Sequence, residues 1–344
     1  MIKQICKRSI PIIYIFLILF IPLNVCWSIG KAPTSPKILF TSTRDGNWDI
    51  YMMNPDGSEQ VNLTKHPSSD LSAVWSPSGE QILFVSNRQG TRVRDLYIMD
   101  ADGSNVRRVF KRKITEWRTN PTWAPDGKNF AYITVDRERQ GLSLHLGTFG
   151  EEDSKLLPWG NSPAWSPDGS EIACSVGHPN GSRLTFLNIR TRKREQPIKD
   201  KILLWQSQPS WSSTGDRIAF SGNKHPLPVI LDRALHDAWM DKRSIYLVNR
   251  DGSGLRLLVD EAGPDAAFPK LSPDGTKVLY TQEINGRLQI FKLEITSGEK
   301  TQLTHGGIFF QANVGGDWFD PEYTSLSVNP QHNMLTTNWG QLKK

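Results

Sequence analysis

Cysteine is almost missing from this chain: it has three among 344 residues, and Cys6 and Cys26 fall within the first 30, leaving Cys174 alone in the body. An intact processed monomer therefore has no disulfide available, and no metal site of paired Cys-x-x-Cys type. Cys174 lies in the expected strand Glu171-Ile172-Ala173-Cys174, where a small buried side chain is expected rather than a nucleophile. Also absent are a Gly-x-Ser-x-Gly nucleophile elbow, a His-Glu-x-x-His zinc helix and a glycine loop able to cradle phosphate. Asp45-Gly46-Asn47-Trp48-Asp49 begins like a calcium loop but lacks the glycine at the sixth position and the distal glutamate such a loop needs, so a strand-entry loop is expected. On these grounds no catalytic residue, metal ion or cofactor is assigned.

Long apolar runs are scarce as well. Ile12 to Ile21 is unbroken, but it is shorter than the roughly 20 residues of a bilayer span. It follows Lys3, Lys7 and Arg8 and precedes the small residues Ser28 and Gly30, the layout of a secretory signal peptide. Residues 1–30 are expected to direct export to the periplasm or beyond, with a processed N-terminus between Cys26 and Lys31. A retained anchor, or acylation of Cys26 after Leu23-Asn24-Val25, are the other readings, and only these would tie the chain to a membrane. The formal charge of +6 includes three positive charges and no acidic residue from that leader, which leaves +3 for the remainder. No strongly basic face of the kind nucleic acid requires is apparent.

What the chain does have is tryptophan and tight-turn residues in a recurring frame. Copies of one pentapeptide start at Trp75 (WSPSG), Trp123 (WAPDG), Trp165 (WSPDG), Trp211 (WSSTG) and Leu271 (LSPDG), with a remnant at Trp318-Phe319-Asp320-Pro321. The steps are 48, 42, 46, 60 and 47 residues. A period of roughly 40 to 50 residues marks propeller blades rather than a helical solenoid. The aromatic residue ends one strand and buries its area against a neighbouring blade. Pro-Asp-Gly then turns the chain, through the fixed φ of proline and the positive φ open to glycine. A second strand follows (Gln81-Ile82-Leu83-Phe84-Val85), then a third (Asp95-Leu96-Tyr97-Ile98-Met99), an Asp-Gly-Ser turn at Asp56, Asp102 and Asp251, and a short fourth such as Val61-Asn62-Leu63-Thr64.

This order closely resembles the WD40-like, or PD40, repeats of the TolB-type β-propeller family over roughly residues 37 to 321. The resemblance implies an all-β fold of six four-stranded antiparallel blades, here without the α/β domain that precedes the propeller in complete TolB proteins, and so leaves membership of a Tol-Pal complex open. It also implies a role in protein interaction. The same repeats occur in prolyl oligopeptidase-like enzymes and in an oligogalacturonate lyase, so a carbohydrate-directed enzyme or binding protein at the channel mouth is the alternative function.

The first strand, Lys37 to Thr41, is of second-strand type and no pentapeptide precedes it, whereas the remnant at Trp318 has no blade after it. Pairing the two would close the ring and remove its exposed edges. One propeller domain is therefore expected over 31–321, with a tail over 322–344 padding the last blade, as a monomer. The 60-residue step is an insertion from Lys224 to Lys242, in which residues 231–240 form a short helix. Strand alternation puts both stereotyped turns on one end of the ring and the variable loops on the other. Loops held by a rigid scaffold carry specificity, and Arg and Trp carry interface energy. The candidate partner-binding residues are therefore Arg44, Trp48, Arg88, Arg94, Trp117, Arg183, His225 and Trp239, with Arg137 to Arg139 and Trp159 and Trp205 beside them. His178, His225 and His236 are scattered, and their spacing does not establish a metal cluster. The partner expected is an envelope or secreted protein or peptide.

Overall fold

In the computed structural model each tandem unit is a four-stranded antiparallel sheet, and six such sheets form the ring. The structure describes residues 30–90, 93–112, 115–136, 141–179, 181–199, 203–228, 232–306 and 312–324. The expected leader, apart from Gly30, and the tail beyond Thr324 lie outside the described residues, as do Arg137 to Arg139. Blade 2 shows the pattern: inner strand Asp70–Trp75, second strand Gln81–Ser86, third strand Asp95–Asp100 and outer strand Arg107–Arg108. The inner strands of blades 3 to 6 are Trp117–Trp123, Asn161–Trp165, Trp205–Trp211 and Ala266–Leu271. Each touches the inner strand of the next blade, and the sixth touches the first.

Blade 1 is the join. Lys37–Ser42, Asp49–Met53 and Val61–Asn62 are its second, third and outer strands, and Asn313–Phe319 is its inner strand. Lys37 pairs with Phe319 and Ser42 with Asn313. The Asp317 carboxylate accepts the Trp75 backbone N–H at 2.7 Å and holds Lys270 at 2.7 Å, which ties blades 6, 1 and 2 together.

The motif aromatics fill the seams between blades, as their size requires. Trp75 packs on Phe319 with ring centroids 5.3 Å apart, and Trp211 on Phe186 at 5.1 Å. Within blades, aromatics directly opposite on the second and third strands touch: Phe40 with Tyr51 and Phe84 with Tyr97 tilted, Phe220 with Tyr246 and Tyr280 with Phe291 stacked. Blade 4 has Cys174 opposite Thr185 instead. That thiol is 1% exposed and burial pushes it up to about 12, so it is held as an inert apolar group.

The Asp-Gly-Ser glycines do more than turn the chain. Gly57, Gly103 and Gly252 have φ of 86°, 86° and 85°. A Cβ on any of them would run into the backbone of the preceding blade, at Leu303, Leu63 and Pro197 respectively. The Leu-Thr that ends one unit is thus read by the glycine of the next in blades 1 and 2.

The turn carboxylates are pulled down by the same local geometry. Asp56, Asp102 and Asp251 sit below the usual carboxylate range, first through the hydroxyl of Ser58, Ser104 or Ser253 and then through that residue's N–H. At Asp274 burial acts upward, but the Ser272 hydroxyl, Thr276 and Lys277 together outweigh it and bring the group to about 2. Groups depressed on folding stabilise the fold above their unfolded pKa, and that contribution is lost as pH falls through the folded values. The melting temperature is expected to hold between about pH 5 and 7 and to fall steeply from about pH 4 towards 2. Asp274→Asn should remove the portion lost last; a melting temperature indifferent to acid in that window would contradict this account.

Candidate partner-binding face

Strand direction fixes which residues share an end. Each pentapeptide turn and each third-to-outer-strand turn lies on one end of the ring, and the second-to-third-strand loops and blade crossings lie on the other, the loop end.

Arg44 and Arg88 occupy the same place in successive units and make the same contact. Each lies over the aromatic pair of its own blade: Arg44 is 4.7 Å from the Tyr51 ring and 5.4 Å from Phe40, and Arg88 is 5.7 Å from Phe84 and 6.0 Å from Tyr97. Arg44 also donates to Ser42 Oγ at 3.0 Å and Asn313 Oδ1 at 3.1 Å, and Arg88 pairs with buried Asp70 at 2.8 Å. Burial is the main cause that lowers the Arg44 pKa. Their guanidinium faces are thus used by the blades that carry them.

Arg94 and Trp117 come from different blades and meet. Arg94 leads into the third strand of blade 2, Trp117 opens the inner strand of blade 3, and the guanidinium carbon lies 4.6 Å from the indole. The backbone sets this contact, because the Arg118 N–H donates to the Arg94 carbonyl at 2.9 Å. Both side chains are half-buried, and burial lowers the Arg94 pKa. Such a stack holds a flat cation rigidly at a surface.

The other candidates are placed as follows. Trp48 is half-buried at the entry to the third strand of blade 1, and its carbonyl accepts the Asp70 N–H at 2.7 Å. Arg183 donates to the Leu203 carbonyl, spanning from blade 4 towards blade 5. The insertion folds onto blade 5 as the helix Arg233–Met240, N-capped by Asp232. Trp239 faces inward: it is 6% exposed, stands edge-on to Trp205 at 5.6 Å and donates to the His225 carbonyl at 2.9 Å. His225 meets Glu261 at 2.8 Å, where Lys224 also pairs at 2.5 Å. Among the described residues no group of three or more His, Cys, Asp or Glu side chains is placed to hold a metal ion. No helix among the described residues is long and apolar enough to cross a membrane.

Trp159, one of the aromatics singled out in the sequence, lies on the crossing into blade 4, is 52% exposed and lies against Gly177. One feature escaped the sequence reading: every inner strand has a bulge whose residue, three before the first residue of the motif, takes positive φ: Ser72, Asn120, Ser162, Gln208, Phe268 and Gly315. Asn and Gly suit that backbone, but Phe268 does not, and it is 43% exposed. The signal was present as the proline at 121, 163, 209 and 269, two before the first residue of the motif. On the turn end, a cavity of about 260 Å³ is lined by Trp75, Trp123, Trp165, Trp211 and Trp318 with Lys270 and Asp317.

A family profile described as "TolB beta propeller domain" matches residues 28–157 and 161–322. The chain belongs to the TolB β-propeller family. Among relatives of this family, the Tol-Pal system protein TolB of Desulfosudis oleivorans is 34% identical over 89 residues, which is 26% of this chain and 19% of that protein. The aligned stretches span between 19% and 37% of the length of the curated relatives matched first. The crystal structure of TolB from Acinetobacter baumannii superposes with a TM-score of 0.66 at 13% identity, over 82% of this chain and 66% of that one. An oligogalacturonate lyase in complex with manganese does so with a TM-score of 0.53 at 15% identity, over 82% and 78%. At these identities both likenesses speak for the fold alone.

Proposed function

We propose that this TolB-family propeller is an exported, non-catalytic scaffold whose loop end holds a segment of an envelope or secreted partner protein. The observation that carries the reading is the Arg94–Trp117 stack, two hot-spot residue types brought together from separate blades on the end that carries the variable loops. Exposed Trp159 adds a second aromatic anchor on the same end. The relative named a Tol-Pal system protein, together with the basic start and short apolar run of residues 1–30, supports the envelope as the setting. The turn-end cavity suits a partner less well, because its tryptophans are already packed between blades and its volume is about that of a small ligand.

The test is recovery of a partner from envelope extract on the exported protein, whose N-terminus is expected between Cys26 and Lys31. Arg94→Ala combined with Trp117→Ala and Trp159→Ala, checked for unchanged melting, should lower recovery at least tenfold, since each hot-spot truncation costs about 2 kcal/mol. Undiminished recovery with this variant, and loss on Asp56→Ala with Asp102→Ala, would move the site to the turn end.

A further inference from the structure

Blade 4 differs from the others in the charge of its third-to-outer-strand turn. Where blades 1, 2 and 5 have Asp-Gly-Ser, it reads Arg190-Thr191-Arg192-Lys193-Arg194, four cations in five residues with no acidic one among them. The turn is well fixed. Asn188 Oδ1 accepts from the Thr191 N–H at 2.8 Å and its hydroxyl at 2.9 Å, and the Arg192 N–H donates to the Asn188 carbonyl at 2.9 Å. Blade 6 uses the same frame, with the Gly298 N–H donating to the Glu294 carbonyl at 2.8 Å. The left-handed position of that frame is glycine in blade 6, at φ 75°, and arginine in blade 4, at φ 62°.

The turn thus bears two costs at once: a side chain where the backbone favours glycine, and four like charges packed together. All four are exposed, and among the described residues none of them forms an ion pair. The nearby acids are already taken, because Arg250 holds Glu171 at 2.7 Å and Glu195 at 3.0 Å. The four charges exceed the +3 carried by everything beyond the leader. The shape is convex, a hairpin tip on the outermost strand of the turn end. The hollow that follows, between Pro197–Lys199 and Asp251–Leu255, carries the Asp251 carboxylate and is unsuited to a soluble anion.

We propose that this tip is an electrostatic docking point for an anionic phospholipid surface. A convex cluster of exposed cations, with no aromatic side chain among its five residues to fix the register of a peptide, matches a flat and laterally mobile array of negative headgroups. The contact needs neither a retained leader nor acylation of Cys26. It lies on the end opposite the proposed partner face and is independent of that reading.

The exported protein is sedimented with phosphatidylcholine vesicles made with and without phosphatidylglycerol. Binding is expected only with phosphatidylglycerol, with about a fivefold loss for each cation removed and at least a hundredfold loss for Arg190→Ala, Arg192→Ala, Lys193→Ala and Arg194→Ala together. High salt should abolish it. Arg192→Gly separates charge from fold: it should weaken vesicle binding about fivefold while raising the melting temperature, because it removes a charge and relieves the backbone. Equal binding to neutral vesicles, or full binding by the fourfold variant, overturns the proposal. So does retention on a polyglutamate matrix, abolished in the fourfold variant, by a protein that ignores both vesicle types; that outcome assigns the tip to an acidic protein segment.

Discussion

A chain ending at Gln311 should lose its single sharp unfolding transition. The truncation removes the inner strand of blade 1, with the Lys37–Phe319 and Ser42–Asn313 pairs, the Asp317 contacts to Trp75 and Lys270, and the Phe319 ring beneath Gly79 and against Trp75. Phe319 is 4% exposed, so Phe319→Ala alone should cost about 3–5 kcal/mol. Removing the whole strand adds an open sheet edge and an unpaired Lys37–Ser42 strand, a loss comparable with the 5–15 kcal/mol that holds a typical domain together. Calorimetry should show a broad transition displaced to low temperature, and protease should cut first within residues 30–62. A truncated protein melting as sharply and at the same temperature as the intact one would mean that the ring does not close through Asn313–Phe319.

Asp95→Ala should be the most damaging single change away from the closure. Asp95 on the third strand of blade 2 and Arg118 on the inner strand of blade 3 are 2% and 4% exposed and meet at 2.9 Å, with the guanidinium 4.0 Å above Phe110. Deleting the carboxylate leaves a buried, uncompensated cation between two blades, at a cost of about 3–5 kcal/mol. Replacing both partners at once, by Asp95→Leu with Arg118→Met, should cost less than either single change, because no charge is then stranded. Denaturant titration of the two single variants and the double variant checks this. Additive losses would show that the pair is not coupled.

The period of the motif aromatics made the ring legible, since a large apolar side chain next to a Pro-Asp-Gly turn has one good place to go, the seam beside the next blade. Closure was legible for a related reason: a second-type strand at Lys37 and an orphan aromatic at Trp318 complete one another. The insertion helix was expected over 231–240 and is described as Arg233–Met240. The face was less legible. Residue type singled out Arg44 and Arg88 as surface contacts, but their use depends on cross-strand register, which brings Phe40 beside Tyr51 and Phe84 beside Tyr97 under them. Trp239 was chosen as a surface aromatic, yet helix geometry turns it inward towards Trp205. The meeting of Arg94 with Trp117 depends on how adjacent blades sit, which no local pattern encodes. The left-handed bulge in each inner strand escaped because its marker is a proline before the motif rather than within it.

The seam in blade 1 also decides how the propeller responds to force. Lys37 begins its strand and Phe319 ends the partner, and the two are paired, so the flanking segments leave from the same end of one ladder. Tension between those segments peels the two strands apart from the Lys37–Phe319 pair towards Ser42–Asn313, loading one rung at a time instead of shearing all rungs together. The remaining five blades are each a continuous hairpin series, and of these blade 2 meets the load first, where Gly30 lies against Asp100 and Ala101 and Ala32 packs into its seam. Pulled by its flanks, the ring opens at one defined seam and at low force, whereas a pull applied through the loops of any other blade must break whole sheets.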